Sequence, residues 1–198
     1  RAALQVQNPA SATDMYNTAV GFAAGEAITV GVQNTFIGSL SGDATTTASN
    51  NTAVGYNSLS ANTTGASNVA VGKDALTANT TASNNIAIGV DAATAITTGG
   101  SNVAIGTSAL QTATTAANNT AIGTSSLAAN TSGTANVAVG YAALDANTTG
   151  GSNTALGSSA LGANTTGSNH TAVGKDALLV STAAGYDTAI GDSVLKAN

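Results

Sequence analysis

Apolar and polar positions alternate along this chain with a fixed period of 17 residues. A branched aliphatic residue stands at Val20, Ile37, Val54, Val71, Ile88, Ile105, Ile122, Val139, Leu156, Val173 and Ile190, and a glycine follows each. Counting that glycine as position 1, the unit reads G-x-x-A/S-L-x-A-N-T-T-G-x-S/N-N-T/V-A-V/I. Its closing run, as in Asn102-Val103-Ala104-Ile105-Gly106, is short, β-branched and ended by glycine, which predicts a strand. The Asn-Thr-Thr-Gly runs at 62–65, 147–150 and 164–167 predict a turn, because Asn and Gly accept tight or left-handed backbone.

Seventeen residues are too few for a helix pair and fall short of a leucine-rich repeat, whose unit runs about 20 to 29 residues. A coil of two short strands and two turns fits instead. With like positions stacked at about 4.8 Å, eleven coils make a body on the order of 50 Å long. The predicted fold is all-β: a parallel β-solenoid, or β-roll, of eleven 17-residue coils over residues 17–198, with residues 1–16 as an N-terminal cap or linker. The coils beginning at Gly21 and Gly38 carry Gly25 and Gly42 where most others carry Leu, and Phe36 stands at an alanine position. Atypical terminal coils of this kind are expected as caps.

Within a strand, positions 15 and 17 share one face and position 16 lies on the other. Bulk argues that position 17 and the leucines at position 5 (Leu59, Leu76, Leu110, Leu127, Leu144, Leu161, Leu178 and Leu195) point inward as two facing ladders. The asparagines at position 14 are expected to stack as a structural amide ladder. Position 16 then faces outward, yet it is Ala in every coil but that of Phe36. Ala53, Ala70, Ala87, Ala104, Ala121, Ala138, Ala155 and Ala172 are therefore expected to pack against another copy of the chain. A thin coil of small side chains buries little area alone, so a homotrimer around the strand face is expected, with a parallel dimer as the lesser option.

Composition narrows the function classes. The net charge is −5, with four basic residues, Arg1, Lys73, Lys175 and Lys196; these are too few to neutralise a nucleic-acid backbone or to dock on an anionic membrane. Cysteine is absent, and no apolar run approaches the roughly 18 residues of a membrane span. The first residue is Arg1, which reads as part of something longer. One His and one Glu supply no nucleophile, base and orienting partner, so no enzyme activity and no cofactor are expected. His170 replaces an Asn of the ladder without a second ligand to hold a metal. Calcium is weighed on the scattered Asp residues, but no EF-hand spacing occurs. Lys73-Asp74 and Lys175-Asp176 read as exposed ion pairs of small energetic weight. The sequons at Asn62, Asn79, Asn130, Asn147 and Asn164 follow from the turn chemistry; in a glycosylating host they would line one edge with sugars.

The strand closing in Asn51-Thr52-Ala53-Val54-Gly55 and Asn136-Val137-Ala138-Val139-Gly140 resembles the head repeats of trimeric autotransporter adhesins. The fuller unit, as in Ala143 to Gly150, is similar to repeat arrays of phage tail fibres and some bacterial surface proteins. The resemblance implies a parallel β-roll with three chains side by side. It also implies an extracellular structural role: a fibre shaft or head segment of an appendage, foremost a phage tail fibre, that presents or spaces a receptor-binding region. The alternative is a bacterial surface adhesin that touches a host surface through exposed residues such as Tyr56 and Tyr141. A lesser alternative is ice binding through the Thr residues at position 15, weakened by the breaks at Val69, Ile86, Val103 and Val137 and by the expectation that position 15 shares the inward face.

Overall fold

The chain closes one coil every 17 residues, and each coil contributes one strand of three residues rather than the two expected, because left-handed residues at positions 3 and 5 break the opposite wall into turns. The computed structural model describes residues 2–7, 14–181 and 185–196. Its strands are β1 (Thr18–Val20), β2 (Thr35–Ile37), β3 (Thr52–Val54), β4 (Val69–Val71), β5 (Ile86–Ile88), β6 (Val103–Ile105), β7 (Thr120–Ile122), β8 (Val137–Val139), β9 (Thr154–Leu156), β10 (Thr171–Val173) and β11 (Thr188–Ile190). They form one 11-stranded sheet in sequence order. All pairs are parallel and in register, so that Val103, Ala104 and Ile105 lie beside Thr120, Ala121 and Ile122. The all-β parallel solenoid expected from the period is the fold observed.

The position-1 glycine is required twice over. Gly106 has φ +133, and a β-carbon there would sit 2.6 Å from the carbonyl of Gly123 in the next coil. Other corners fall at positions whose residue types carry less warning. Positions 3, 5 and 13 are left-handed, as in Ser108 (φ 55), Leu110 (φ 53) and Asn118 (φ 60). A left-handed L-residue costs roughly 1–2 kcal/mol, and full burial of a leucine returns about 1.5–3 kcal/mol. Leu110 is wholly buried, so the corner survives because it drives the side chain inward. The Asn62–Gly65 turn, by contrast, contains no positive φ.

The interior is lined by positions 4, 5, 8, 11, 14 and 16. Leu59, Leu76, Leu110, Leu127, Leu144, Leu161 and Leu178 face inward as expected, whereas Leu195, in the last coil with no coil beyond it among the described residues, is exposed. The strand is turned over relative to expectation. Ala53, Ala70, Ala87, Ala104, Ala121, Ala138, Ala155 and Ala172 are all completely buried within their own coils, while positions 15 and 17 are half-buried or exposed along the whole sheet. The alternation rule holds, but bulk misassigns the faces. Leucine and two columns of asparagine already fill the thin coil, and the remaining gap admits only a methyl group. The alanines therefore cannot carry contacts to another copy.

At the N-terminal end, the backbone N–H groups of Leu4 and Val6 donate to the carbonyls of Ala24 and Glu26 at 3.1 and 3.3 Å. Leu59 and Ala61 donate in the same way to Ala75 and Thr77 of the following coil. Leu4 is also left-handed, with φ 51. Residues 2–7 thus imitate part of a coil and cover the first one, four residues out of phase with the repeat. Residues 8–13 of the expected cap lie outside the described residues.

Candidate functional site: the strand face and the ladders behind it

Asparagine at position 14 joins three coils at once. The backbone N–H and the Nδ2 of Asn68 donate to Asn51 Oδ1 of the preceding coil at 2.9 and 3.2 Å, and Nδ2 also donates to the Ala82 carbonyl of the following coil at 2.9 Å. Asn68 Oδ1 in turn accepts the N–H of Asn85 at 2.9 Å. This pattern recurs from Asn17 to Asn153. Buried amides pair along the axis, so they carry no desolvation debt.

A second asparagine column stands at position 8, which the sequence reading placed in an open turn. Asn62 and Asn79 are completely buried; Asn62 Nδ2 closes its turn on the Gly65 carbonyl at 3.0 Å, and Asn79 Nδ2 donates to Asn62 Oδ1 at 3.0 Å. Asn130, Asn147 and Asn164 repeat the arrangement. The sequon asparagines are therefore inside the coil, and the expected line of sugars has no accessible acceptor at these five positions in the folded chain. Where Ile96 or Ser181 follows in the column, Asn79 Oδ1 and Asn164 Oδ1 have no hydrogen-bond partner among the described residues. Next to this column, Thr63 Oγ1 donates to the Thr80 carbonyl, and Thr80 Oγ1 to that of Thr97, at 3.0 and 3.1 Å.

His170 takes an asparagine's place in the first column. Its backbone N–H donates to Asn153 Oδ1 at 3.0 Å, and its Nδ1 accepts the N–H of Asp187 at 3.3 Å. The ring is fully buried, and Nε2 has no partner among the described residues. The imidazole thus serves the ladder as a substitute acceptor.

These ladders hold a sheet whose outward side is made of positions 15 and 17. Thr stands at position 15 in β1, β2, β3, β7, β9, β10 and β11, and an aliphatic residue in β4, β5, β6 and β8; position 17 is aliphatic throughout. No Asp, Glu, Lys or Arg occurs at either position in the 11 strands. Tyr56 and Tyr141, at position 2 just past the strand end, are exposed, as are Phe22 and Val90. Cross-strand packing of β-branched residues explains why this face stays aliphatic although it is solvent-facing.

Charge lies off this face, at the adjoining corners, at position 6 (Glu26, Asp43, Asp145 and Lys196) and at Asp187 in the asparagine column. Lys73 and Asp74 form an ion pair, and Lys175 lies 3.2 Å from Asp176. The Lys73 ammonium, then the Asn57 amide, hold the Asp74 carboxyl below its ordinary range; the aspartates next to Lys73 and Lys175 raise both ammonium groups above theirs. Burial pushes the Asp145 carboxyl up, against the N–H groups of Asp145 and Ala146, which pull it down. Among the described residues no group of three or more potential metal ligands comes together, and no helix is long and apolar enough to cross a membrane. Compared with known proteins, the chain matches no family model, no curated protein and no solved structure.

Proposed function

We propose that the chain is a structural segment of an extracellular appendage, a fibre shaft or head of the phage tail-fibre kind that spaces or presents a receptor-binding region. The observation that carries this reading is the insertion-free stack itself: 11 strands in one register, tied from coil to coil by an asparagine column. Such a body is stiff and has a fixed rise per repeat, which is what a spacer requires. Copies associate side by side, three being the number that the repeat's resemblance implies, and the role is mechanical rather than enzymatic. An antibody against the chain, used in immunogold electron microscopy of the source organism and its phages, tests this. Label on virion tails is the expected result; label on cell envelopes favours the adhesin alternative, and label on neither overturns the appendage reading.

A second reading draws support from one observation. The Thr residues at position 15, interrupted by Val69, Ile86, Val103 and Val137, face outward on a strand face without Asp, Glu, Lys or Arg, and a row of outward Thr hydroxyls is what an ice-binding role would use. A thermal-hysteresis measurement on the purified chain decides it, since freezing and melting points that coincide remove the reading.

A further inference from the structure

We infer that the outward strand face is the seam along which a second copy of this chain docks, parallel and with equal coils side by side. This rests on the appendage reading only for its biological purpose; the seam itself is argued from the surface.

The face is large for an unpartnered one. Eight of its side chains expose between 36% and 68% of their area, on the order of 600 Å², the upper end of the largest apolar patch on a monomer. The half-buried positions between them bring it toward the roughly 800 Å² per partner of a standard interface. Charge points the same way. Two copies each carrying −5 repel at the corners where their carboxylates lie, and this face brings no charge against charge.

Closed symmetry fixes the register. In two-fold or three-fold closure about an axis parallel to the solenoid, equal coils lie at the same height, and position 15 of one copy faces position 17 of the next. Position 17 is aliphatic in every strand, so each row of the seam, whether it carries Thr or one of Val69, Ile86, Val103 and Val137 at position 15, meets an aliphatic side chain of the other copy.

The chain has no cysteine, so thiol reporters are clean. Sedimentation of the intact chain should show an oligomer, and the Ile86→Lys/Ile88→Lys double variant a monomer with an unchanged far-UV spectrum, because both side chains are exposed. The Thr81→Lys/Thr98→Lys control, on an exposed turn edge, should stay associated. On oxidation, Ile86→Cys chains mixed with Ile88→Cys chains should cross-link at least tenfold faster than with Val71→Cys or Ile105→Cys chains, and Val20→Cys should not cross-link to Ile190→Cys. A chain that stays monomeric at every concentration, or a lysine variant that stays associated, overturns the seam; a monomer with thermal hysteresis overturns it in favour of ice. Faster off-register or end-to-end cross-linking overturns the register. Immunogold label away from any appendage would remove the biological purpose and leave the seam intact.

Discussion

The ring of Phe36 occupies the space that a side chain on Gly42 would need: a β-carbon there would lie 2.5 Å from Phe36 Cε1. Gly25 stands in the same relation to the other edge of the ring, with its β-carbon position 2.8 Å from Cδ2. Phe36 is the one large residue in the alanine column, and the two coils whose leucines it displaces are those with glycine at position 5. The three departures from the repeat are thus one exchange of volume between the two walls of the coil.

This exchange is testable by restoring the consensus. Phe36→Ala alone should cost about 3–5 kcal/mol, the range for emptying a buried aromatic site. Gly42→Leu alone should also destabilise, by collision with the ring. The double variant Phe36→Ala/Gly42→Leu exchanges nearly equal volumes and should recover stability to within about 1.5 kcal/mol of the parent, as volume-conserving swaps do. Urea denaturation of the four proteins measures the coupling, and additive losses would show that Phe36 and Gly42 do not share one space.

How far the fold was legible can be judged from Ala104 and Ile105. The period, the strand and the glycine that ends it follow from spacing and residue type, and they predicted the parallel solenoid. Which strand face looks inward did not follow, because that depends on how much of the coil is already filled. The leucine corner and the buried asparagine column at position 8 consume the width, and neither is visible in a strand of three residues. The sign that could have been read was Phe36 itself, paired with two missing leucines. Asn62 misled in a similar way: Asn-Thr-Thr-Gly has the composition of an exposed turn, and only its recurrence in register hinted at a second ladder.

The inverted face yields opposite expectations for neighbouring residues. Ala104→Val inserts methyl groups into a closed interior and should cost about 1–3 kcal/mol. Ile105→Ala lies on the partly exposed outer side and should change the stability of the monomer by no more than about 0.5 kcal/mol, as surface substitutions do. Thermal unfolding at a concentration low enough to hold the chain monomeric measures both. A larger loss at Ile105 than at Ala104 would restore the original orientation.

Removing one amide from the asparagine column should be felt in three coils. Asn102 Oδ1 accepts the N–H of Asn119 at 3.0 Å, and its Nδ2 donates to Asn85 Oδ1 and to the Ala116 carbonyl at 3.1 and 2.9 Å. Asn102→Ala strands those groups in the interior, at about 1–3 kcal/mol for each unsatisfied one. Asn118→Ala, next to Asn119 in the following coil and exposed, loses only the left-handed preference of asparagine, about 1 kcal/mol. Hydrogen exchange should show the amides of Asn119 and its neighbours opening in the first variant and protected in the second.

Asp145 should make the coil less stable as the solution leaves acid. Burial raises its carboxyl above the ordinary value, so the folded chain holds this proton more tightly than the unfolded one. Stability from this group is then fully present below the unfolded carboxylate range, near 4, and is lost as pH rises through the raised folded value. Asp145→Asn removes the penalty. The variant should match the parent near pH 3 and exceed it at pH 7 by a margin within about 0.5 kcal/mol, since the group is only part-buried and water screens it. Asp74 runs the opposite way: its carboxyl is lowered by Lys73 and Asn57, so its contribution is present above the ordinary carboxylate value and lost as pH falls through the lowered one. Asp74→Asn should therefore differ from the parent at pH 7 in the destabilising direction and converge with it in strong acid. Unfolding curves for the two variants at pH 3, 5 and 7 separate the groups, and variants that move in the same direction at pH 7 would show that burial does not govern Asp145.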